Sequence, residues 1–365
     1  MPIHERSFRI GCGRYIQGEN YIISGSADEI SRLGKYPLII GDTTALTLTR
    51  DALTESLSKR SNNYEFWTHD GSCNDEQAKE IADKKNEIGY DVIVGVGGGV
   101  IMDFAKLCGH FAKCPVLNIP TSSATCAAYT PLSVRYTPEG RTVGTMHFDY
   151  EVNAVLVDTS LIARQPVRLF LAGVFDAIAK FVEIKQRFKE DDIMEYPLGL
   201  DYAYTLSKQT YHLLTRDVAG CIEDMQKGII TKRLENVIFT SIATTGVISG
   251  IARGSNQCAL AHKFYETTRV LFQETAKPYL HGEIVGVGLL LQNFFNEEVE
   301  NNDSLLALMK KHHMPYRITD IGITSDEATM EEYYTRLKAS SAIDENNEEE
   351  CIKLRESLKY LWSIR

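Results

Sequence analysis

Three residues in the C-terminal half carry side chains that commonly bind divalent metal ions. Asp176 lies in a run of small and apolar residues, His262 lies in a helical apolar pattern, and His281 directly precedes an apolar helix. An aspartate in such surroundings is costly to bury unless it is paired or metal-bound. One carboxylate and two imidazoles suit Zn²⁺ or Fe²⁺ and leave coordination positions open. Each residue alone is more often structural, and the three are far apart in sequence, so spacing by itself leaves both interpretations open.

A glycine-rich turn in the first half has the features of a phosphate-binding site. Residues 92–96 form a short apolar run that suits a strand buried on both faces, and Gly97, Gly98 and Gly99 follow before helical spacing begins. Without Cβ atoms, backbone N–H groups at a helix N-terminus can approach a phosphate. The spacing is neither GxGxxG nor a P-loop, so a tight turn without a ligand is the alternative. Asp103, in the first helical turn, either meets a ribose or nicotinamide edge or satisfies unpaired backbone donors.

Two segments that follow predicted strands offer further contacts for a dinucleotide. Asp42 follows the strand predicted over residues 37–40, where an acid can accept both hydroxyls of an adenosine ribose and would repel a 2′-phosphate. Helix N-capping is an equally weighted alternative for Asp42, because two threonines follow it. Residues 120–126 are rich in small and hydroxyl side chains and form either a dinucleotide contact or simply a loop.

The elements that must position these residues fall into two classes. Strands and helices alternate at short intervals up to residue 158, with a hairpin around residues 137–140, which is typical of a parallel, doubly wound sheet. Ligands of such sheets bind at the carboxyl ends of the strands. From about Thr159 strand signals vanish and long amphipathic segments follow. We therefore predict an α/β domain over residues 1–158, which carries the possible dinucleotide contacts, and a helical domain over residues 159–365, which carries the possible metal ligands.

Composition limits the classes of function. The chain has 365 residues, of which 44% are hydrophobic and 24% charged, the profile of a soluble globular protein. Its net charge of −10 argues against nucleic acid or an anionic membrane as a partner. The first residues do not resemble a signal peptide, and no uncharged run is long enough to cross a membrane, so we expect a cytoplasmic protein. The eight cysteines form no CxxC pair and are expected to be reduced thiols.

An ordered set of motifs runs through most of the chain, from about Phe8 to Ile323. The motifs are Gly97-Gly98-Gly99-x-x-x-Asp103, Pro120-Thr121, Leu132-Ser133-Val134-x-Tyr136-Thr137-Pro138-Glu139-Gly140, Val155-Leu156-Val157-Asp158-Thr159, Ala172-Gly173-x-x-Asp176-Ala177, Ala261-His262 and His281-Gly282-Glu283. As a set, they resemble the iron-containing alcohol dehydrogenase superfamily, in its glycerol dehydrogenase-like branch. The tail beyond about Thr324 matches this pattern less clearly.

This resemblance implies a Rossmann-like first domain, a helical second domain and two cofactors. One divalent ion, Zn²⁺ or Fe²⁺, would be held by Asp176, His262 and His281. NAD(H) would be bound by residues of the first domain, with Asp42 at the adenosine ribose; the other implied contacts are Gly97, Gly98, Gly99, Asp103, Thr121, Ser122, Thr125, Ser133 and Tyr136. We expect the protein to act on a small molecule and to be a homo-oligomer.

The implied activity is the NAD(H)-linked, metal-dependent interconversion of a small alcohol or 2-hydroxy acid and its carbonyl form. Cys126 counts among the catalytic positions because it stands where glycerol dehydrogenases have an aspartate that contacts the glycerol hydroxyls. Val100 stands where they often have a lysine. Because a thiol is an uncharged and poor acceptor, Cys126 favours an anionic substrate such as a 2-oxo acid over glycerol. Hydroxycarboxylate dehydrogenases of the same branch are therefore candidates.

A lyase that forms a carbocycle, like 3-dehydroquinate synthase, is the alternative function. It shares the superfamily fold, and its glycine motif is close to that at residues 97–103. Against this alternative, the region around His262 lacks the Gly-His-Thr-x-Gly-His run of such lyases. Their first metal ligand would also be a glutamate, whereas this chain has Asp176.

Overall fold

The computed structural model describes residues 10–60, 63–188, 198–252 and 258–365. Its strands are β1 Tyr15–Gly18, β2 Pro37–Gly41, β3 Glu65–Thr68, β4 Val92–Gly97, β5 Val116–Pro120, β6 Leu132–Tyr136, β7 Thr142–His147 and β8 Ala154–Asp158. Six of them form a parallel sheet in the order β1-β8-β5-β4-β2-β3. Strands β6 and β7 pair antiparallel as the predicted hairpin. The predicted fold class is thereby confirmed for the first half of the chain.

Helices follow each of β1 to β4 and form most of the described chain after β8. They are α1 Tyr21–Ser31, α2 Thr43–Ser58, α3 Asp75–Asp83, α4 Lys85–Ile88, α5 Gly99–Ala112, α6 Thr159–Ile162, α7 Val167–Arg187, α8 Leu198–Lys227, α9 Lys232–Phe239, α10 Thr245–Ala252, α11 Leu260–Leu271, α12 Gln273–Ala276, α13 His281–Phe295, α14 Asn301–Lys311, α15 Glu327–Lys338 and α16 Glu348–Ser363. Among the described residues, no strand follows Asp158, which confirms the predicted helical second half.

Strand β4 is buried on both faces because helices cover the sheet on both sides. Val94 belongs to a core cluster that includes Leu53 of α2, whereas the adjacent Ile93 belongs to a second cluster with Phe104 of α5. Successive side chains of a strand point to opposite faces, so an uninterrupted apolar run fills both cores. This arrangement fixes the carboxyl end of β4, where the glycine-rich turn begins.

By their internal contacts, the described residues form two units. The first comprises the described residues within 1–165 and 216–250, and the second comprises those within 166–215 and 251–365. The domain boundary at residue 158 stays a prediction. Within the described chain, one helical stretch, Lys232–Ala252, is long and apolar enough to span a membrane, and 61% of its most apolar part is buried inside the protein. Burial of this extent is what a core helix of a folded unit shows.

Candidate metal centre and dinucleotide turn

The three predicted metal ligands converge in the helical unit. Asp176 lies in α7, His262 in α11, and His281 is the first residue of α13; their ligand atoms all lie within 4.8 Å of one another. Asp176 Oδ1 is 3.3 Å from His262 Nε2 and 3.5 Å from His281 Nε2. Asp176 and His262 are buried, and His281 is half-buried. The structure therefore brings together residues that are 105 positions apart in sequence, from 176 to 281.

A glycine permits close approach of α7, which carries Asp176, and α13, which carries His281. A Cβ atom on Gly282, at the start of α13, would lie 1.8 Å from the backbone oxygen of Ala172 in α7. No side chain fits at that distance, so the backbones of the two helices are in direct contact. Ala172 lies one turn before Asp176 and Gly282 directly follows His281, which places both ligand side chains beside this contact.

Glu183 orients the imidazole of His262. Its carboxylate pairs with His262 Nδ1, and its Oε1 accepts the backbone N–H groups of Ala259 at 2.7 Å and His262 at 2.8 Å. This pairing directs Nε2 toward Asp176. Metal-binding histidines typically have such a carboxylate on their other ring nitrogen. Sequence reasoning missed Glu183, although it lies seven residues after Asp176 and hence on the same helix face.

Two arginines hold the segment that carries His281. Arg168 donates to both carboxylate oxygens of Glu283, at 2.6 and 2.7 Å, and Glu283 caps the start of α13. Arg269 donates to backbone carbonyls of the segment 276–279 at 2.6 and 2.7 Å. His281 is thereby placed by hydrogen bonds on both sides of it in sequence.

The charges around Asp176 favour its ionised form. Lys180 Nζ lies 3.3 Å from Asp176 Oδ1 and 3.2 Å from His262 Nε2. Burial alone would raise the pKa of Asp176, but Lys180 and the two imidazoles hold it well below its ordinary value. Burial opposes protonation of His262, yet Glu183 raises its pKa to about 10, whereas burial lowers the pKa of His281.

The residues present fit a divalent cation. Asp176 Oδ1 is buried, and its nitrogen neighbours, the ammonium of Lys180 and the two imidazoles, lie at 3.3–3.5 Å, longer than well-formed charge-assisted hydrogen bonds. A cation among Oδ1 and the two Nε2 atoms would make shorter contacts with all three. Two nitrogen donors and one oxygen donor are a set that Zn²⁺ and Fe²⁺ accept.

The glycine turn connects β4 directly to α5. Gly98 is the N-cap residue of α5 and has no side chain to cap the helix. A Cβ atom at Gly98 would meet open space. A Cβ on Gly97 would lie 2.7 Å from a side-chain atom of Ile101, so this position requires glycine. The first backbone N–H groups of α5 have no partner within the helix, and Gly98 and Gly99 are half-buried. The phosphate contact of Gly97, Gly98 and Gly99 stays a prediction.

Asp103 is not at the surface of the turn but is buried beneath it. Its Oδ1 lies 2.8 Å from Lys106 Nζ, and its Oδ2 accepts the backbone N–H of Val134 at 3.0 Å. Burial raises the pKa of Asp103, and the ammonium of Lys106 acts against this. Lys106 also donates to three backbone carbonyls, of Ala127, Thr130 and Leu132. These contacts give Asp103 a structural role, and its contact with a nicotinamide stays a prediction.

Asp42 caps a helix, which confirms one of its two predicted roles. Its Oδ1 accepts the backbone N–H of Ala45 at 2.8 Å, at the start of α2. Asp70, which sequence reasoning missed, accepts the N–H and the hydroxyl of the adjacent Thr43, at 2.8 and 2.6 Å. Two carboxylates thus lie at the carboxyl end of β2. The contact of Asp42 with a ribose stays a prediction.

The remaining predicted residues lie along the segment from β5 to β6. Thr121 N–H donates to Gly97 O at 3.0 Å, and Thr125 Oγ1 is 3.1 Å from the position of a Cβ on Gly99, so this loop flanks the glycine turn. Ser122 is buried, and Cys126 is half-buried. On β6, the buried Ser133 and the half-buried Tyr136 bond to protein groups, the backbone carbonyls of Asp103 and Cys73.

Comparison with known proteins identifies the family. The family model described as iron-containing alcohol dehydrogenase matches residues 12–159. The glycerol dehydrogenase of Thermotoga maritima is 30% identical over 87% of this chain and 86% of its own length. Hydroxycarboxylate dehydrogenase A of Escherichia coli is 27% identical over 69% of this chain and 68% of its own length. The crystal structure of glycerol dehydrogenase from Schizosaccharomyces pombe superposes with a TM-score of 0.80, at 20% identity, over 97% of this chain and 89% of that one.

The chain belongs to the iron-containing alcohol dehydrogenase family. It is therefore an oxidoreductase acting on an alcohol, which confirms the family, the fold and the class of activity predicted from the motifs. This assignment favours the dehydrogenase over the carbocycle-forming lyase. The family implies a nicotinamide cofactor and a divalent metal, for which the Asp176, His262 and His281 cluster is a fitting site.

Proposed function

We propose that this protein uses NAD(H) and a divalent ion held by Asp176, His262 and His281 to interconvert a small 2-hydroxy acid or alcohol and its carbonyl form. The observation that carries the proposal is the convergence of the ligand atoms of these three side chains within 4.8 Å of one another. We further propose that the ion is Zn²⁺ or Fe²⁺ and that the protein works in the cytoplasm as a homo-oligomer.

The protein's own residues bind and orient the reactants. When bound, the ion polarises the substrate oxygen as a Lewis acid and the nicotinamide exchanges a hydride with the substrate carbon. Glu183 keeps His262 Nε2 directed at the site, and Arg168 and Arg269 hold the segment of His281. Backbone N–H groups at Gly98 and Gly99 would hold the pyrophosphate of the cofactor. Such fixed placement of reactants supplies much of the rate enhancement in hydride transfer.

Removal and return of the metal tests the proposal. Chelator-treated protein should lose NAD-linked turnover, and Zn²⁺ or Fe²⁺ should restore it together with one ion per chain by elemental analysis. A His262→Ala variant should bind no ion, whereas His212→Ala, which replaces an exposed histidine of α8, should behave as the wild type. Full turnover by metal-free protein would refute the metal site.

Cys126 supports a preference for 2-oxo and 2-hydroxy acids over polyols. A substrate hydroxyl left without an acceptor costs roughly 1–3 kcal/mol, or about one to two powers of ten in specificity. Cys126→Asp should raise turnover of glycerol relative to that of 2-oxo acids, and Cys126→Ala, which adds no acceptor, should not. If the aspartate variant leaves this ratio unchanged, Cys126 does not determine substrate choice.

A further inference from the structure

Lys180 is a buried cation in the centre of the metal-ligand cluster. Helix α7 places Asp176, Lys180 and Glu183 on one face, and Lys180 is only 5% exposed. Its Nζ lies 3.2 Å from His262 Nε2 and 3.3 Å from Asp176 Oδ1, so it is as close to two ligand atoms as they are to each other. Lysine is almost never buried to this degree unless its charge is used or paired.

The charge balance of the cluster changes when it holds an ion. The described cluster contains two carboxylates, Asp176 and Glu183, and one ammonium, Lys180. With a divalent ion and neutral imidazoles, these groups carry one net positive charge. The ion and Lys180 then both draw on the carboxylate of Asp176 and repel each other, because like charges a few ångströms apart in a buried site interact strongly. A substrate that carries a negative group beside its carbonyl would compensate this excess.

We propose that Lys180 is a specificity-determining residue that binds the carboxylate of a 2-oxo or 2-hydroxy acid while the adjacent carbonyl or hydroxyl oxygen faces the metal ligands. In such a substrate the carboxylate is bonded directly to the reacting carbon. Its carboxylate oxygen can therefore contact Lys180 while the carbonyl or hydroxyl oxygen of the next carbon faces the adjacent ion. The compact ammonium of lysine suits contact with a single carboxylate oxygen. This inference rests on the proposed function and names the substrate class within it.

The test compares two carbonyl substrates of one size that differ in charge. Pyruvate carries a carboxylate where hydroxyacetone carries a neutral hydroxymethyl group. Lys180→Met should lower the ratio of kcat/KM for pyruvate to that for hydroxyacetone by about ten- to a hundredfold, the value of one hydrogen bond to a charged group. Lys180→Arg should recover part of this ratio. Lys185→Met is the matched control, because Lys185 lies on the same helix and pairs with Glu298 instead.

A binding measurement separates substrate recognition from metal loading. Oxamate, an unreactive analogue of pyruvate, should bind the Zn²⁺-loaded, NADH-bound Lys180→Met protein about ten- to a hundredfold more weakly than the wild type by calorimetry at saturating Zn²⁺. An unchanged substrate ratio, equal losses on both substrates, or unchanged oxamate affinity would each overturn the role of Lys180. Loaded wild-type protein that reduces hydroxyacetone but not pyruvate would overturn it and leave the proposed function intact. Loaded wild-type protein that turns over no carbonyl with NADH would overturn both.

Discussion

Two buried aspartate–lysine pairs, one in each unit, have nearly the same local sequence arrangement and different surroundings. Asp103 and Lys106 are three residues apart in α5, and Asp176 and Lys180 are four apart in α7; all four side chains are at most 9% exposed. Helical spacing of three or four residues places such side chains side by side. Neither the residue types nor the burial distinguishes the two pairs.

The partners of the two pairs do distinguish them. Lys106 lies 2.8 Å from its aspartate and gives its other N–H groups to backbone carbonyls, so the pair joins α5 to the segment 127–132. Around Asp176 Oδ1 the nearest nitrogen atoms lie at 3.3–3.5 Å, and two of them are imidazole nitrogens. The lysine of the first pair bonds to backbone carbonyls of a loop, whereas the second pair lies among the side chains that we propose to hold an ion. The role of a buried ion pair is therefore inferred from the groups around it rather than from the distance between its two charges.

The largest expected effect comes from removing the aspartate of the pair in α7. Asp176→Asn should remove the bound ion and reduce turnover by about a thousandfold or more, because an ion that supplies several kcal/mol of barrier reduction is lost. The variant should still fold, although Lys180 loses a buried carboxylate partner, so its thermal midpoint should lie below that of ion-free wild type. Elemental analysis and turnover on the same preparation measure both effects. One ion per chain in Asp176→Asn would contradict the assignment.

The corresponding change at α5 should act on stability instead. Lys106→Met leaves Asp103 buried without its cation, which typically costs about 3–5 kcal/mol of unfolding free energy. Denaturant unfolding measures this loss, and the double variant Lys106→Met, Asp103→Leu should regain part of it because no unpaired charge remains. The metal content should equal that of the wild type. An unchanged unfolding midpoint for Lys106→Met would mean that the pair is not structural.

A smaller effect is expected from the partner of His262. Glu183→Gln keeps the shape of the side chain and removes the charge that orients the imidazole, so metal affinity should fall about ten- to a hundredfold. Competition with a chelator of known affinity measures this change. Glu298→Gln, which alters an acid of the same unit outside the cluster, should leave the affinity unchanged.

Metal affinity should also rise with pH. The pKa of His262 in the ion-free protein is about 10, above its ordinary value of 6.5, so its proton stabilises the fold below pH 6.5 and this contribution is lost as the pH rises through 10. An ion must displace that proton, so affinity should increase by up to about tenfold per pH unit below 10. Calorimetry at pH 8 in buffers of different ionisation enthalpy should show release of about one proton per ion. Affinity independent of pH would contradict this.

The smallest expected effect concerns the cofactor. Asp42→Gly should narrow a preference for NAD(H) over NADP(H) by about tenfold or less, because Asp70 keeps a second negative charge at the same strand end. Glycine is a tolerated N-cap, so α2 should lose only a few tenths of a kcal/mol. Dissociation constants for both cofactors measure the change, with Asp51→Asn, an exposed acid of α2, as the control. Equal use of both cofactors by the wild type would contradict the role of Asp42.

Sequence predicted the sheet, the helical second half and the residues that converge in the metal cluster. These succeeded because strand burial and helical periodicity are local patterns and because the ligand motifs are specific as an ordered set. The surroundings of Asp103 could not be predicted in the same way, since they depend on hairpin β6–β7 and on a lysine whose partners are backbone carbonyls. The grouping of residues 216–250 with the first unit could not be predicted either. An amphipathic pattern shows that one face of a helix is buried, but it does not show which unit covers that face.

The contact between Gly282 and Ala172 would make ionic radius a criterion of selection at the proposed metal site. Because the backbones of α7 and α13 touch, no side chain can yield to let the turns of Asp176 and His281 separate. The proposed Zn²⁺ or Fe²⁺, bonding at about 2.0–2.2 Å to few ligands, would suit this fixed spacing better than Ca²⁺, which takes six to eight oxygen ligands at about 2.3–2.6 Å. The absence of a side chain at Gly282 thus fixes the spacing of the turns that carry two of the proposed ligands.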